Sequence, residues 1–381
     1  MRILVAPDCF GGTLTAPEAA AAIAEGWRRG SPGDELVARP VADGGPGFVD
    51  VLRASLGGTV HRRRVSGPLG DPVEAEWLEV RAERASTGVR SGTAYLESAQ
   101  ACGLHLVPDR TPENAGRAGT KGVGELLAAA RDAGVATAVV GLGGSGSTDG
   151  GAGMLSALGA VAVDDDGAPL EPGGLALAGC AGIRGTANLD GMRVVLASDV
   201  EHTLVGEHGA AAVFGPQKGA DAATVAALDT ALSRWADTLT AATGRDVRDV
   251  PGAGAAGGLA AGLLALGGTT ESGAGLVRTL TGLDEALDTA DLVLTGEGSF
   301  DWQSLRGKLV TVVARAAAER GVPCLVLAGQ VAVGRREAAA VGVERAFSVA
   351  EHAGSVDAAL AEPARTLAAL AADVAGQWGG R

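Results

Sequence analysis

The chain has 381 residues, with 31 basic and 45 acidic side chains and a formal net charge of −14. Hydrophobic residues make up 46% and aromatic residues only 3%, which predicts a core of Ala, Val and Leu and excludes general disorder. The acidic balance argues against nucleic acid and against an anionic membrane surface as partners, because both require basic side chains. The length suggests two domains.

The cysteines and the N-terminus indicate a cellular compartment. Four cysteines lie far apart and form no CxxC pair, which is typical of reduced thiols. The first apolar run ends at Pro7, which is too early for a signal peptide, and no run of about 18 apolar residues predicts a membrane span. We therefore expect a soluble cytoplasmic protein.

Short Val- and Leu-rich segments alternate with longer Ala-rich segments, which predicts an α/β fold with a mostly parallel sheet wrapped by helices. In chain order, the predicted strands are Ile3–Ala6, Leu36–Val41, Ala136–Gly141, Val194–Ala197, Leu292–Thr295 and Cys324–Ala328. The predicted helices are Ala16–Arg29, Gly122–Ala133, Ala222–Thr243, Leu309–Arg320 and Asp357–Val374. The third of these helices has apolar residues at spacings of three and four, as expected for a helix with one buried face.

Residues 57–101 have a different pattern, with alternating strand-like segments at His61–Val65, Val73–Val80 and Tyr95–Ser98. Gly-Pro and Gly-Asp-Pro turn signals between the first two predict antiparallel, hairpin-like pairing. We interpret this region as the start of a second domain inserted into the first. The prediction is a discontinuous α/β domain at 1–60 and 284–381, an inserted α/β domain at 61–283, and an active-site cleft between them.

Five predicted strands are followed by loops that combine carboxylates with glycine or small hydroxyl side chains. The loops occupy positions 7–13, 42–45, 143–151, 198–199 and 296–301. Ligands of open α/β sheets bind at the carboxyl ends of the strands, so we expect the loops to converge. Glycine lets backbone N–H groups contact phosphate oxygens, and carboxylates hold Mg²⁺ or accept a proton. A single Asp-Gly after a strand is usually only a turn, but five such loops favour a site for an anion and a divalent cation.

Gly141–Gly146 matches GxGxxG after a predicted strand, so a nicotinamide-dependent enzyme is a less favoured alternative. Residues 147–151 separate this motif from any following helix, and Asp164–Gly167 is better interpreted as a hairpin turn than as a ribose-binding acid. The sequence has no GxxxxGK[ST] motif, and its five histidines lack the spacing of zinc ligands.

The chain contains three lysines, Lys121, Lys218 and Lys308, all in Gly-rich segments. Lys218 follows a rigid Gly-Pro turn. Lys308 opens a predicted helix, where a lysine alone is unfavourable but an anion is favoured by the helix dipole. In an acidic chain, these are the conspicuous cationic candidates for contact with a phosphate.

Six motifs follow one another along the chain. They are Ala6-Pro7-Asp8, Ala42-Asp43-Gly44-Gly45, Gly143-Gly144-Ser145 with Asp149–Met154, Phe214–Gly219, Pro251–Leu259, and Thr295–Gly298 with Asp301, Gln303 and Gly307-Lys308. In this order they resemble the type I glycerate kinase family, from the first strand to about Ala328. The resemblance implies two α/β domains, one of them discontinuous, with the active site between them. It also implies an enzyme that uses ATP and Mg²⁺ to phosphorylate D-glycerate, typically on its 2-hydroxyl.

The resemblance and the loop chemistry together define a candidate site. The catalytic candidates are Asp8, Asp43, Asp199, Lys218 and Lys308. The nucleotide-binding candidates are Gly143, Gly144, Ser145, Asp149, Gly296 and Gly298, and the Mg²⁺ candidates are Asp199, Glu297 and Asp301. We expect one of the first two aspartates to accept the hydroxyl proton and the two lysines to offset charge on the transferred phosphoryl group.

The first two loops depart from the family pattern. Gly11 and Pro46 stand where the family usually has Lys and Glu, and Phe48 stands where it has Thr. Losing both members of an ion pair costs less than losing one, so the usual Lys and Glu are interpreted as partners. We expect a less polar acceptor pocket, with either an altered acceptor or compensation by Lys121.

The expected partner is a small hydroxy acid or polyol, and a homodimer is left open. A kinase-like protein that binds a metabolite without turnover is the alternative from another functional class, motivated by the two departures at Gly11 and Pro46.

Overall fold

The computed structural model describes residues 1–81 and 90–378. The chain divides into two compact units. Unit 1 comprises Met1–Ala42, Asp50–Leu56 and Ala274–Arg381, and unit 2 comprises Asp43–Val49 and Gly57–Gly273. The parts of the predicted domains at 82–89 and 379–381 lie outside the described residues, and the predicted cleft stays a prediction.

The unit boundaries differ from the predicted domain boundaries at three places. Residues 43–49 belong to unit 2, residues 274–283 belong to unit 1, and residues 57–60 also belong to unit 2. The first difference arises because the N–H of Gly143 donates to the carbonyl oxygen of Gly44 at 3.1 Å. The backbone of Gly44 also approaches Ala197 closely, since a Cβ on that glycine would lie 2.6 Å from the Ala197 carbonyl oxygen. Residues 274–283 belong to unit 1 because Ala274 and Leu283 pack with one of its hydrophobic cores.

The strands are β1 (Arg2–Val5), β2 (Glu35–Ala38), β3 (Thr59–Ser66), β4 (Pro72–Val80), β5 (Thr93–Glu97), β6 (Thr137–Gly141), β7 (Val161–Val163), β8 (Gly182–Arg184), β9 (Arg193–Ala197), β10 (Thr269–Glu271), β11 (Leu292–Thr295), β12 (Ser299–Phe300), β13 (Cys324–Ala328), β14 (Gln330–Val331) and β15 (Arg345–Ser348).

The helices are α1 (Ala16–Gly30), α2 (Phe48–Leu56), α3 (Ala99–Cys102), α4 (Pro112–Arg117), α5 (Lys121–Asp132), α6 (Ala152–Ala157), α7 (Ala210–Phe214), α8 (Ala222–Thr243), α9 (Leu259–Ala265), α10 (Gly273–Leu280), α11 (Leu283–Leu287), α12 (Leu309–Ala318), α13 (Arg335–Ala340), α14 (Val349–Ala353), α15 (Val356–Ala361) and α16 (Pro363–Trp378).

Unit 1 contains a five-stranded, fully parallel sheet in the order β15-β13-β11-β1-β2. Alternate residues of each strand point to opposite faces, so Ile3 and Val5 pack with α1 and α16, whereas Leu4 and Ala6 pack with α12. Helices α1 and α16 are in close contact at Gly26, where a Cβ would lie only 2.0 Å from the carbonyl oxygen of Ala368. The sheet is therefore covered by helices on both faces.

Unit 2 contains a six-stranded sheet in the order β10-β9-β6-β5-β4-β3. Strands β5, β6, β9 and β10 are parallel, and β3, β4 and β5 pair antiparallel, as the hairpin pattern predicts. The core joins Val140 and Leu196 of the sheet with Leu126 of α5, Trp235 of α8 and Leu263 of α9. The predicted α/β class with helix-wrapped, mostly parallel sheets is confirmed.

Most predicted elements are present with small shifts of their ends. Helix α8 has the predicted bounds, whereas the second strand ends at Ala38 because Pro40 has no N–H for a sheet hydrogen bond. The single helix predicted over Asp357–Val374 is wrong. The segment is divided into α15 and α16 at Pro363, because the proline ring disfavours helical geometry at the residue before it. Among the described residues, none of the helices is both long and apolar enough to cross a membrane.

Candidate active site

A cavity of about 320 Å³ in unit 2 lies beside the glycine-rich loop that follows β6. We call it the glycine-loop cavity. Its lining combines three of the sequence motifs: Gly143, Gly144 and Ser145 from the glycine-rich loop, Phe214, Gln217 and Lys218 from the Gly-Pro turn segment, and Ala256 and Gly257 from the third glycine-rich segment. The tertiary structure thus joins segments that are far apart in the chain into one concave site.

Lys218 provides the positive charge of this cavity. Its side chain is 2% exposed, and its Nζ donates to the carbonyl oxygen of Ser147 at 2.5 Å and to the Oγ of Ser145 at 3.2 Å. Burial lowers the pKa of Lys218 to about 8, although the nearby Cys102 and Asp149 favour its charged form. An ammonium group held at a glycine-rich loop is suited to contact with phosphate oxygens.

Asp149 is buried beneath the same loop. Its Oδ2 accepts hydrogen bonds from the N–H and Oγ1 of Thr120, at 2.8 and 2.9 Å, and from the N–H of Gly153 at 3.1 Å. Its Oδ1 accepts from the N–H of Gly151 at 3.1 Å. Burial raises the pKa of Asp149, and these hydrogen bonds oppose the shift. The geometry supports a positioning role that joins the starts of α5 and α6, and direct contact with a nucleotide stays a prediction.

Asp43 and Asp199 both belong to unit 2, Asp43 in the segment that follows β2 and Asp199 in the loop after β9, and both side chains are exposed. The Oδ1 of Asp43 accepts from the N–H of Gly45 at 2.9 Å, and the Oδ1 of Asp199 accepts from the Oγ of Ser272 at 2.6 Å. Gly273 lies between them, since a Cβ there would be 2.1 Å from the carbonyl oxygen of Asp43 and 3.4 Å from the Oδ2 of Asp199. The structure therefore brings these two predicted catalytic residues together.

In unit 1, the loops after β1 and β11 are adjacent because the N–H of Asp8 donates to the carbonyl oxygen of Gly296 at 2.8 Å. Glu297 is 6% exposed, and its Oε2 lies 3.8 Å from the Nζ of Lys308. Its buried Oε1 has no hydrogen-bond partner among the described residues. Burial raises the pKa of Glu297, while Ser304 and Lys308 oppose that shift. One oxygen of this carboxylate is therefore a buried acceptor that the described residues leave unpaired.

Asp301 follows in the same loop and is half-buried. Its Oδ1 accepts from the N–H of Gln303 at 2.8 Å and of Ser304 at 3.4 Å. The hydrogen bond from Gln303 is the main reason why the pKa of Asp301 is lowered, with a further contribution from Lys308. Unit 1 therefore places Asp8, Glu297, Asp301 and Lys308 on adjoining loops.

The carboxylates offer the hard oxygen ligands that Mg²⁺ prefers. In residues 1–81 and 90–378, no three His, Cys, Asp or Glu side chains are grouped so that they could hold a metal by themselves. Mg²⁺ usually binds one or two carboxylates together with substrate phosphates, and the unpartnered Oε1 of Glu297 fits that mode. The predicted set of Asp199, Glu297 and Asp301 stays a prediction.

The residues that depart from the family pattern have different environments. Phe48 is fully buried and packs edge-to-face against Tyr95, with ring centroids 6.3 Å apart, and its predicted effect on an acceptor pocket stays a prediction. Lys121 is 58% exposed, lies 4.0 Å from the Oε1 of Glu125 and is not part of the glycine-loop cavity lining. Pro46 is exposed and lies beside Gly144, where a Cβ would be 2.9 Å from the proline Cδ.

Sequence reasoning missed Thr120, Ser272 and Gly273. Thr120 is fully buried and donates to Asp149, while Ser272 and Gly273 set the geometry around Asp199. None of them lies in a strand-exit loop that contains its own carboxylate, so the sequence pattern that predicts the site does not include them. Only their contacts identify them.

Known proteins resemble this chain over nearly its full length. A family model described as the glycerate kinase family matches residues 3–379. A glycerate kinase from Halalkalibacterium halodurans is 40% identical over 377 residues, covering 98% of this chain and 97% of the relative. Glycerate 2-kinase from Escherichia coli K12 is 38% identical over 369 residues, covering 94% of this chain and 93% of the relative.

A solved structure is also similar. A crystal structure described as a glycerate kinase 2 from Salmonella typhimurium LT2 has a TM-score of 0.80 and 36% identity, and the match covers 100% of this chain and 98% of that one. These similarities support an enzyme and give no support to a metabolite-binding protein without turnover. The chain therefore belongs to the glycerate kinase family and is a kinase, a phosphotransferase with an alcohol group as acceptor.

Proposed function

We propose that this kinase transfers the γ-phosphoryl group of ATP to the 2-hydroxyl of D-glycerate or of a related small hydroxylated metabolite. The observation that carries the proposal is the buried Nζ of Lys218, held 3.2 Å from the Oγ of Ser145 in the glycine-loop cavity. The relatives named as glycerate kinase and glycerate 2-kinase support the acceptor and the hydroxyl position.

The glycine-rich loop of unit 2 supplies the contacts for the nucleotide phosphates in this proposal. The backbone N–H of Gly144 can approach a phosphate oxygen closely because no side chain intervenes, whereas that of Gly143 already donates to the carbonyl oxygen of Gly44. The ammonium group of Lys218 offsets phosphate charge as it develops in the transition state. Its hydrogen bonds to Ser145 and Ser147 fix its position before substrate binds.

The carboxylates of unit 1 are the candidate ligands for Mg²⁺. Bound Mg²⁺ would neutralise part of the charge on the nucleotide phosphates. Glu297 offers its unpartnered Oε1, and Asp301 is held in its ionised form by the N–H of Gln303. Lys308, 3.8 Å from Glu297, limits the repulsion between the carboxylates before the metal binds.

Asp8 or Asp43 accepts the proton of the acceptor hydroxyl in this mechanism. Each carboxylate is oriented by a backbone N–H, that of Cys9 on the Oδ1 of Asp8 at 2.7 Å and that of Gly45 on the Oδ1 of Asp43 at 2.9 Å. A fixed carboxylate needs little reorganisation when the hydroxyl arrives.

The test is a kinase screen of the purified protein with MgATP against hydroxy acids, polyols and sugars. We expect D-glycerate to be phosphorylated, and ³¹P NMR of the product to show the phosphate on the 2-hydroxyl. A phosphate on the 3-hydroxyl would show that the proposed hydroxyl position is wrong. Turnover with sugars but not with glycerate would show that the proposed acceptor is wrong. Thermal shifts should also be larger with MgADP than with ADP alone, because an acidic site repels bare phosphates.

A further inference from the structure

A second cavity, of about 430 Å³, lies in unit 1 and includes none of the residues of the candidate active site. We call it the arginine cavity because Arg28 and Arg39 are the charged residues in its lining. Its apolar walls come from α1 and from Pro40, and Ser55 and Thr281 add hydroxyl-bearing side chains. The cavity thus combines cations, hydroxyls and an apolar surface.

The charge of this lining is opposite to that of the protein. The chain carries 45 acidic side chains, yet no Asp or Glu is among the described residues that line the arginine cavity. Across 1–81 and 90–378, no acidic group lies within the 4.0 Å ion-pair distance of Arg28 or Arg39. By contrast, Arg320 in the same unit lies 3.0 Å from the Oδ1 of Asp284. Neither cavity arginine forms an ion pair by this criterion, and the nearby carboxylate of Glu285 is close to Arg39, since a Cβ at Gly282 would lie 3.6 Å from the Glu285 Oε2 and 3.9 Å from the Arg39 Nε.

Arg39 also holds a buried donor without a partner. Its Nη1 donates to the carbonyl oxygen of Ala38 at 2.8 Å, but its Nε is buried and has no hydrogen-bond partner in the described part of the chain. A buried donor of a charged group that lacks an acceptor is unfavourable. The backbone N–H of Arg39 donates to the carbonyl oxygen of Val5 at 2.8 Å, which anchors the residue beside β1.

We propose that the arginine cavity binds a phosphate monoester with a small apolar group, at a site separate from that of phosphoryl transfer. Guanidinium groups match the geometry of phosphate oxygens, and two of them balance the double charge of a monoester. The hydroxyls of Ser55 and Thr281 can add neutral donors. The alanine side chains of α1 cover the apolar group of the ligand. This inference rests on the arginine cavity alone and does not depend on the proposed acceptor.

The test is isothermal titration calorimetry with phenyl phosphate as the probe and phenol as its uncharged counterpart. We expect phenyl phosphate to bind the wild-type protein and phenol not to bind. Arg28→Gln and Arg39→Gln should each raise the Kd at least tenfold. Arg29→Gln is the matched control, because Arg29 is the next residue of α1, is exposed and does not line the cavity; its Kd should stay within twofold of the wild type.

Three outcomes would overturn the proposal. The first is the absence of phenyl phosphate binding up to 10 mM. The second is unchanged binding in both cavity variants, which would place the probe elsewhere, for example in the active site. The third is an equal loss of affinity in Arg29→Gln, which would indicate a general charge effect. Arg28 is exposed, so its substitution tests the proposal even if the Arg39 variant does not fold.

Discussion

The Nζ of Lys218 lies 3.2 Å from the Oγ of Ser145, and both side chains are buried beside the glycine-rich loop. No acidic side chain among the described residues lies within ion-pair distance of this ammonium group, whose hydrogen bonds go to a hydroxyl and to the carbonyl oxygen of Ser147. Its charge is therefore weakly compensated in the free enzyme and is suited to stabilising phosphate.

The pH dependence of turnover should reflect Lys218. Its pKa is about 8 in the folded protein, so its charge is lost as pH rises through that value. We expect kcat/KM for ATP to fall about tenfold per pH unit above about pH 8, because kcat/KM reports the free enzyme. Steady-state kinetics between pH 6.5 and 9.5 measure this. A profile that stays level to pH 9.5 would contradict a requirement for the charged form.

The same group links protein stability to pH in a defined direction. In the unfolded chain the ammonium group of Lys218 keeps its proton up to about pH 10.5, whereas in the folded protein it loses that proton near pH 8. The unfolded state therefore binds more protons between these values, and the free energy of unfolding should rise with pH across them. Urea unfolding of wild type and Lys218→Met at pH 7.5 and 9.5 isolates the effect. The wild type should gain stability relative to the variant at the higher pH.

Glu297→Gln should lower kcat at least about a hundredfold, because the carboxylate charge that the proposal assigns to phosphoryl transfer is lost. The fold should stay intact, because glutamine has nearly the same side-chain shape. The Tm without ligand should not fall, because the substitution removes a buried carboxylate whose Oε1 has no hydrogen-bond partner in the described structure. The extra thermal shift with Mg²⁺ should disappear. Glu344→Gln, an exposed carboxylate of the same unit, is the control and should behave as wild type. Wild-type turnover of Glu297→Gln would remove this residue from the site.

Asp149→Ala should destabilise unit 2 by about 3 kcal/mol, because it leaves buried donors of Thr120, Gly151 and Gly153 without an acceptor. Asp164→Ala is the matched control. Its Oδ1 accepts from the N–H groups of Asp166 and Ala168 in an exposed turn, where water can replace it. The control should cost about 1 kcal/mol or less, measured by urea unfolding. Equal losses in the two variants would contradict the positioning role of Asp149.

Gly257→Ala should impair the glycine-loop cavity. A Cβ at Gly257 would lie 1.9 Å from the carbonyl oxygen of Ser147, the acceptor of the Lys218 ammonium group, and the residue has a φ of +66°. We expect at least a tenfold loss of kcat/KM together with lower stability. Gly244→Ala is the matched control. Gly244 has a φ of +72°, but no atom lies within 4 Å of the new Cβ, so this substitution introduces backbone strain without a steric clash. A similar loss of activity in both variants would show that contact with Ser147 is not the cause.

Lys121→Ala should leave the KM for glycerate within twofold of the wild type. The side chain is 58% exposed, its Nζ lies 4.0 Å from the Oε1 of Glu125, and such surface pairs contribute less than about 1 kcal/mol. Initial-rate kinetics with glycerate measure this. A tenfold or larger rise in KM would instead support compensation by Lys121 for the cation that Gly11 replaces.

Local pattern in the sequence determined the class of the fold and the chemistry of the loops. Helix α8 has the predicted bounds because the spacing of its apolar residues is a property of that segment alone. The positions of Asp8, Asp199 and Glu297 after strands follow from the same local signal. The ordered motifs also determined the family, since they can be compared without knowing which of them are in contact.

Only the tertiary structure decided which of these residues are buried and which are in contact. Lys218 and Ser145 are 73 positions apart, and Asp149 and Thr120 are 29 apart. No local period relates them, so the burial that sets the pKa values of Lys218 and Asp149 cannot be read from either segment. Phe48 lies in the core for a similar reason, because its partner Tyr95 belongs to another element. The arginine cavity likewise depends on segments of unit 1 that only folding brings together, and it follows from packing rather than from pattern.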